Sequence, residues 1–307
     1  MAAPRKVSQR TSLVTGGTQG IGRAVALELA RRGDRVLFVG RNPDLAGAAL
    51  SELRAVRPEL EHGFIPADLA LLSETARVGS EIQRVTSRLD SVVLCAGILS
   101  TIPEWTEEGL ERNFVLNYLS RYLLVRNLLP KLQAAPSGRV VLVSNAGQYK
   151  DTLDFDDLQH HRGKPGLHVA GRTQFANDLF TVELAERTRA SALEVTCVFP
   201  GVTQTAVFEN ARGLSRFMRR LACAAQWFGH SAEKAAVTPV YLAHDAAAVN
   251  TSGRFFGPAL EEISVPERAR RVDRRARLWS VSEELTARYL AAAETLERPP
   301  RLVTAAR

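Results

Sequence analysis

Thr15-Gly16-Gly17-Thr18-Gln19-Gly20-Ile21-Gly22 closes a short apolar run, Ser12–Thr15, and leads directly into a helical pattern over Ile21–Arg32. Glycines at such a junction allow a tight turn and a close backbone approach to a pyrophosphate. The free N–H groups and positive dipole end of the helix that follows favour a negative ligand. A glycine-rich turn alone carries little weight. Placed between the first strand and first helix of a chain that alternates the two, it marks a dinucleotide cradle. Gly16, Thr18, Gln19, Gly20, Ile21 and Gly22 are therefore candidate cofactor-binding positions.

Outward from this turn the alternation persists. Strands are expected at Arg35–Val39, Phe64–Pro66, Ser91–Cys95, Arg139–Ser144, Leu193–Phe199 and Arg254–Phe256. Between them, helical periodicity covers Asp44–Val56, Leu71–Leu89, Gly109–Leu132 and Thr173–Arg189, with Gly33, Pro58 and Gly138 as punctuation. This order predicts an α/β fold: a Rossmann-type doubly wound parallel sheet in three α/β/α layers, built as a single domain. Residues 1–260 are expected to form the nucleotide-binding part. Residues 261–307 read as a tail with a short amphipathic helix around Val281–Ala293, packed on or extending the same domain. Gln148–Leu167 is polar and reads as a loop. After Thr205 the pattern blurs, with Phe208, Phe217, Met218, Trp227 and Phe228 scattered among basic residues.

The composition suits a soluble globular chain: 307 residues, 45% hydrophobic and 24% charged, with a mean hydropathy of -0.10. The net charge of +7 is carried mostly by arginine, with basic runs at Arg216–Arg220 and Arg268–Arg277. Such runs read first as a solvated face or a loop, and no nucleic-acid motif accompanies them. Cys95, Cys197 and Cys223 are spaced for neither a disulfide framework nor a metal site. No signal-peptide pattern opens the chain, and no apolar stretch approaches the roughly 18 residues of a membrane span. The expectation is a reduced, cytoplasmic setting.

Val39-Gly40-Arg41-Asn42 ends the second strand, where an NAD-binding chain usually carries an Asp or Glu for the ribose 2′-hydroxyl. No carboxylate stands there, and Arg41 can meet a 2′-phosphate. NADP(H) is favoured as cofactor.

The Thr15–Gly22 turn resembles the TGxxxGIG signature of the short-chain dehydrogenase/reductase superfamily, and the likeness continues to about Pro258. Ala67-Asp68-Leu69 looks like the family's adenine-contacting segment. Cys95-Ala96-Gly97 takes the place of its Asn-Ala-Gly motif, with Cys replacing Asn. Thr106–Glu111, Asn113–Asn117 and Tyr122–Leu124 are similar to the retinol-dehydrogenase-like branch, in which Asn117 matches the structural member of a catalytic tetrad. Pro200-Gly201-Val202-Thr203-Gln204-Thr205 looks like the PGxxxT turn that contacts the nicotinamide amide. The resemblance thus adds Asp68, Leu69, Cys95, Ala96, Gly97, Pro200, Gly201, Val202 and Thr205 to the cofactor-binding set, and Asn117 to the catalytic one.

The departures fall on chemistry. Val143-Ser144-Asn145 matches a Val-Ser-Ser strand end whose second Ser is the family's catalytic one; here it is Asn145. Without a gap, the family's Tyr-x-x-x-Lys falls on Ala170 and Gln174. Alanine has no titratable group, and loss of a positioned acid typically costs about 10²–10⁴ in rate. Gln174 can still bond ribose hydroxyls but brings no charge. Asn145 can polarise a carbonyl. Candidate replacement acids are Tyr149, and behind it His168 or the His160-His161 pair; water or a substrate hydroxyl is the other source.

Three functions follow from this sequence. The first is an NADP(H)-dependent carbonyl/alcohol oxidoreductase acting on a lipophilic small molecule. The second is a non-redox cyclase, isomerase or dehydratase, and the third a non-catalytic NADP(H)-binding protein. The Phe208–Phe228 stretch lies where the family's substrate lid would be, and suits a lipophilic ligand, core packing or a homo-oligomer interface equally.

Overall fold

Alternation of β-branched and apolar residues along each strand divides the core in two. Leu13, Leu37, Ile65, Val92, Leu142 and Val195 face one cluster; their neighbours Val14, Phe38, Phe64, Val93, Val141 and Val198 face the other. Both faces must therefore be covered, as in a parallel sheet. The computed structural model, which describes residues 9–204, 211–220, 229–295 and 301–304, shows this three-layer arrangement.

The strands are β1 (Thr11–Thr15), β2 (Arg35–Gly40), β3 (Gly63–Pro66), β4 (Ser91–Leu94), β5 (Arg139–Val143), β6 (Glu194–Val198), β7 (Phe255–Phe256), β8 (Glu262–Ile263) and β9 (Val303–Thr304). They form a nine-stranded sheet of order β8-β7-β6-β5-β4-β1-β2-β3-β9. Pairing is parallel from β7 to β3, and β8 and β9 close the edges antiparallel. The order reverses between β1 and β4. Ligands of open α/β sheets bind at the carboxyl ends of the strands at such a switch point.

Helices α1 (Gly20–Arg31) and α2 (Pro43–Val56) cover one face, with α3 (Leu72–Val85), α5 (Ser120–Gln133) and α6 (His168–Arg187) on the other. Asn42 accepts from the N–H groups of Asp44 and Leu45, and Pro43 opens α2 with its fixed φ. The helix expected over Gly109–Leu132 is broken into parts. Glu111 caps the short α4 (Arg112–Phe114), and a π turn, Val115–Leu119, intervenes before α5. Such single π turns concentrate at functional sites, and this one carries Asn117.

Three further expectations need correction. The blurred region holds a helix, α7 (Ala232–His244), capped by Ser231 and packed on α1; Pro239 inside it masks the periodicity. The tail helix is not short. A turn, α8 (Glu267–Arg270), leads into α9 (Val272–Thr295), 24 residues long, whose Leu278, Trp279 and Tyr289 join the core. The second basic run is consequently more than a solvated face. Arg268 donates to the carbonyls of Gly147 and Tyr149, and Arg274 bonds Asp151 and the Leu153 carbonyl. Phe217 and Met218 are exposed, whereas Phe208, Cys223, Trp227 and Phe228 lie outside the described residues. No helix among the described residues is long and apolar enough to cross a membrane.

Candidate active site

The strand order sets the glycine turn at the switch point, and at Gly16 and Gly22 only glycine fits. Gly16 has φ +68°, and a Cβ there would stand 3.0 Å from the Ala96 backbone. A Cβ on Gly22 would press into the Gly16 carbonyl. The first turn of α1 receives no side-chain cap from Gln19, in contrast to α2, so its N–H groups open toward the cleft. This uncapped, glycine-lined helix start suits a pyrophosphate.

A cleft of about 560 Å³ runs across the switch point. At one end it is lined by Thr18, Gln19, Gly20, Ile21, Arg41, Asp68 and Leu69. Arg41 is exposed there, and no carboxylate follows it until Asp44 in α2. Asp68 accepts from the Ala70 N–H and lies 3.7 Å from Arg112. Cys95, Ala96 and Gly97 form the middle of the floor, with the Ala96 N–H held by Thr15 Oγ1 at 3.1 Å.

At the far end stand Asn117, Ser144, Asn145, Tyr149, Ala170 and Gln174, with Pro200, Gly201 and Val202 at the mouth. The fold thus brings together every site residue expected from the sequence except Thr205, which lies outside the described residues. The Ser144 hydroxyl donates to Gln174 Oε1 at 2.7 Å, which leaves the Gln174 amide N–H₂ free to turn toward the cleft. Asn117 is committed to the protein. Its Oδ1 accepts from the Ile98 N–H, and its Nδ2 donates to the Ile98 carbonyl and to Thr173 Oγ1. It therefore ties the floor after β4 to α6.

Tyr149 lies against the helix that carries Ala170: a Cβ on Gly171 would come within 2.8 Å of its ring. The three histidines weighed as alternative acids are elsewhere. His168 is exposed and rests edge-on against His160, and His161 stacks on Trp105; none lines the cleft. The local reason is that α6 starts only at His168, so its first residue faces out.

Three positioning residues escaped the sequence reading. Asp178, 1% exposed, accepts from the Gly147 N–H with both oxygens, at 3.1 and 3.0 Å. Burial pushes its carboxyl up to about 7. From the other side Arg268 grips the Gly147 and Tyr149 carbonyls. Together they fix the loop after β5, where Ala146 (φ 28°) and Gly147 (φ 79°) reverse the chain between Asn145 and Tyr149. Arg121 is the third, buried under the floor with bonds to the Ala96 and Val143 carbonyls.

Comparison with known proteins agrees with this geometry. Residues 10–153 match the family described as short chain dehydrogenase. Human retinol dehydrogenase 13 is 31% identical over 291 residues, covering 92% of this chain and 87% of its own. Human dehydrogenase/reductase SDR family member 13 is 34% identical over 280 residues, covering 90% of this chain and 73% of its own. Among solved structures, a putative uncharacterized protein from Mycobacterium paratuberculosis superposes with a TM-score of 0.69 at 27% identity, over 91% of this chain and 94% of that one. A putative short chain dehydrogenase from Escherichia coli CFT073, solved in complex with NADPH, shares the fold with a TM-score of 0.63 at 23% identity, over 81% of this chain and 96% of that one. The chain belongs to the short-chain dehydrogenase/reductase family of oxidoreductases, in its retinol-dehydrogenase-like branch.

Proposed function

We propose that this protein is an NADP(H)-dependent carbonyl/alcohol oxidoreductase with an atypical proton-transfer site, acting on a lipophilic small molecule. The observation that carries the reading is the continuous cleft from Arg41 to Ser144 and Gln174, with the uncapped glycine turn between them. The retinol dehydrogenases among its relatives support a lipophilic substrate. We assign the nucleotide-binding part to residues 1–260, with 261–307 extending the same domain through Leu278, Trp279 and Tyr289.

Bound at this site, the nicotinamide would supply or accept the hydride. The chain's own residues do the rest. The glycine turn and α1 hold the pyrophosphate, Arg41 takes the 2′-phosphate, and Asp68 and Leu69 border the adenine. Gln174, oriented by Ser144, bonds ribose hydroxyls through its amide. Asn145 donates to the substrate oxygen, and the Tyr149 phenol exchanges the proton that Ala170, in the place of the family Tyr, cannot.

A second reading rests on Ala170 and Gln174 themselves. With the titratable pair replaced, a cleft that only binds and orients a substrate suits a cyclase, isomerase or dehydratase, and a protein that binds NADP(H) without turnover is its limiting case. Fluorescence titration tests the cofactor claim, and NADPH consumption in the presence of a substrate separates redox turnover from these alternatives. NADPH is expected to bind about tenfold or more tightly than NADH, a preference worth about 1.4 kcal/mol at Arg41. Absence of NADPH binding would overturn the reading.

A further inference from the structure

Five arginines are buried among the described residues: Arg77, Arg121, Arg139, Arg172 and Arg275. Four of them have a carboxylate within ion-pair reach. Arg77 pairs with Glu81 at 3.0 Å, Arg172 with Glu111 at 2.6 Å, Arg275 with Glu183 at 3.7 Å and Arg139 with Glu194 at 3.9 Å. Arg121, 4% exposed, is the exception. Its Nη1 and Nη2 donate to the carbonyls of Val143 and Ala96, each at 2.9 Å, and its Nε is buried without a hydrogen-bond partner. The thiols of Cys95 and Cys197 are the groups whose charge would oppose it, and burial pushes both up, Cys95 to about 12. Neither supplies a negative charge near neutral pH. Burial lowers Arg121 itself only to about 10, so the guanidinium stays protonated.

An unpaired buried charge is costly unless something in the functioning protein answers it. Arg121 lies on α5 one turn past Asn117 and borders the cleft floor between the carboxyl ends of β4 and β5. A Cβ on Gly97 would come 3.7 Å from its Nη2, so little separates the guanidinium from the cleft. Among the described residues, Arg41 and Asp68 are the other charged residues lining the cleft, and both stand at the end away from Ser144 and Gln174. Position 174 adds none.

We propose that Arg121 is a redox-state selector: its fixed positive charge makes the cleft hold NADPH more tightly than NADP⁺. The inference rests on the NADP(H) reading above. The two nucleotides share their phosphates and ribose and differ by one positive charge on the nicotinamide ring. That charge would sit beside Asn117, Ser144 and Gln174, next to the stretch of floor between Gly97 and Val143 under which Arg121 lies uncompensated. Repulsion therefore acts on the oxidised form alone, and weakly screened charges keep most of their interaction. The consequence is a site that favours loading with reductant and releases the oxidised nucleotide readily.

The test is equilibrium binding of both nucleotides, NADPH by its fluorescence and NADP⁺ by displacement. The full chain is compared with Arg121→Met, Arg121→Gln and Arg121→Lys. In the unmodified protein NADPH is expected to bind about tenfold or more tightly than NADP⁺. The neutral variants should lose at least about fivefold of that ratio through tighter NADP⁺ binding, and Arg121→Lys should keep it. Arg121→Gln, which retains donors for the two carbonyls, carries the comparison if Arg121→Met does not fold. A ratio near one in the unmodified protein overturns the inference without any variant. So does a ratio that Arg121→Gln leaves unchanged while both nucleotides still bind. If neither nucleotide binds the unmodified protein, the NADP(H) reading fails and this inference with it.

Discussion

Replacing Asp178 by Asn tests how the protein holds the loop that carries Asn145 and Tyr149. The Asp178 carboxyl is buried on α6, accepts twice from the Gly147 N–H and lies 3.9 Å from the Cys197 thiol. Burial raises its pKa from 3.8 to about 7, against partial relief from the Gly147 bond and the Arg268 charge. The Arg268 guanidinium spends its own bonds on the loop carbonyls instead. Because the folded-state value is the higher one, the folded protein holds an extra proton between about pH 3.8 and about pH 7. Stability from this group is therefore fully present below about pH 3.8 and falls as pH rises to about 7. The whole span is worth about 4 kcal/mol, of which roughly half or more falls between about pH 5 and about pH 7.5. Asp178→Asn keeps an acceptor for Gly147 and removes the titration. Urea unfolding of both proteins at those two pH values should show the variant gaining about 2–3 kcal/mol relative to the original as pH rises. Other carboxylates contribute equally to both and cancel. Parallel pH dependences in the two proteins would refute a buried, raised Asp178.

Two further substitutions probe the site and its support. Ala170→Tyr with Gln174→Lys introduces a titratable pair and should raise NADPH-dependent turnover of an aldehyde by about 10²-fold; an unchanged rate would mean that the cleft does not place substrate at position 170. Glu111→Gln removes the fully buried partner of Arg172 and weakens the cap of α4. It should cost about 3–5 kcal/mol in unfolding free energy, and a loss below about 1 kcal/mol would show that the pair is not sustaining this corner.

Local pattern made the strands, the glycine turn and most of the residues lining the cleft legible, because each is encoded within a few consecutive residues. The gapless match of Phe175-Ala176-Asn177 likewise placed Ala170 and Gln174 on the cleft, where they stand. What stayed hidden depends on partners far along the chain. Asp178 reads as one more polar residue of a helix until the fold sets it against Gly147, 31 residues away. Arg268 looked like part of a solvated run, yet reaches Tyr149 across 119 residues. Arg121 sits among apolar neighbours at the start of α5, SRYLL, and its lack of a carboxylate partner among the described residues is a property of the packed interior. The α7 helix was concealed for a different reason, Pro239 interrupting its period.

The proposed function holds that the nucleotide cleft carries out redox chemistry with Tyr149 as the acid in place of a Tyr at position 170. It is tested most directly by adding a lipophilic aldehyde to the NADPH-bound protein and following NADPH consumption, with Tyr149→Phe alongside. Stoichiometric oxidation by the unmodified protein is expected, with a rate about 10²-fold lower in Tyr149→Phe at unchanged NADPH affinity. NADPH that binds and is never consumed, while a substrate is still converted, would contradict it.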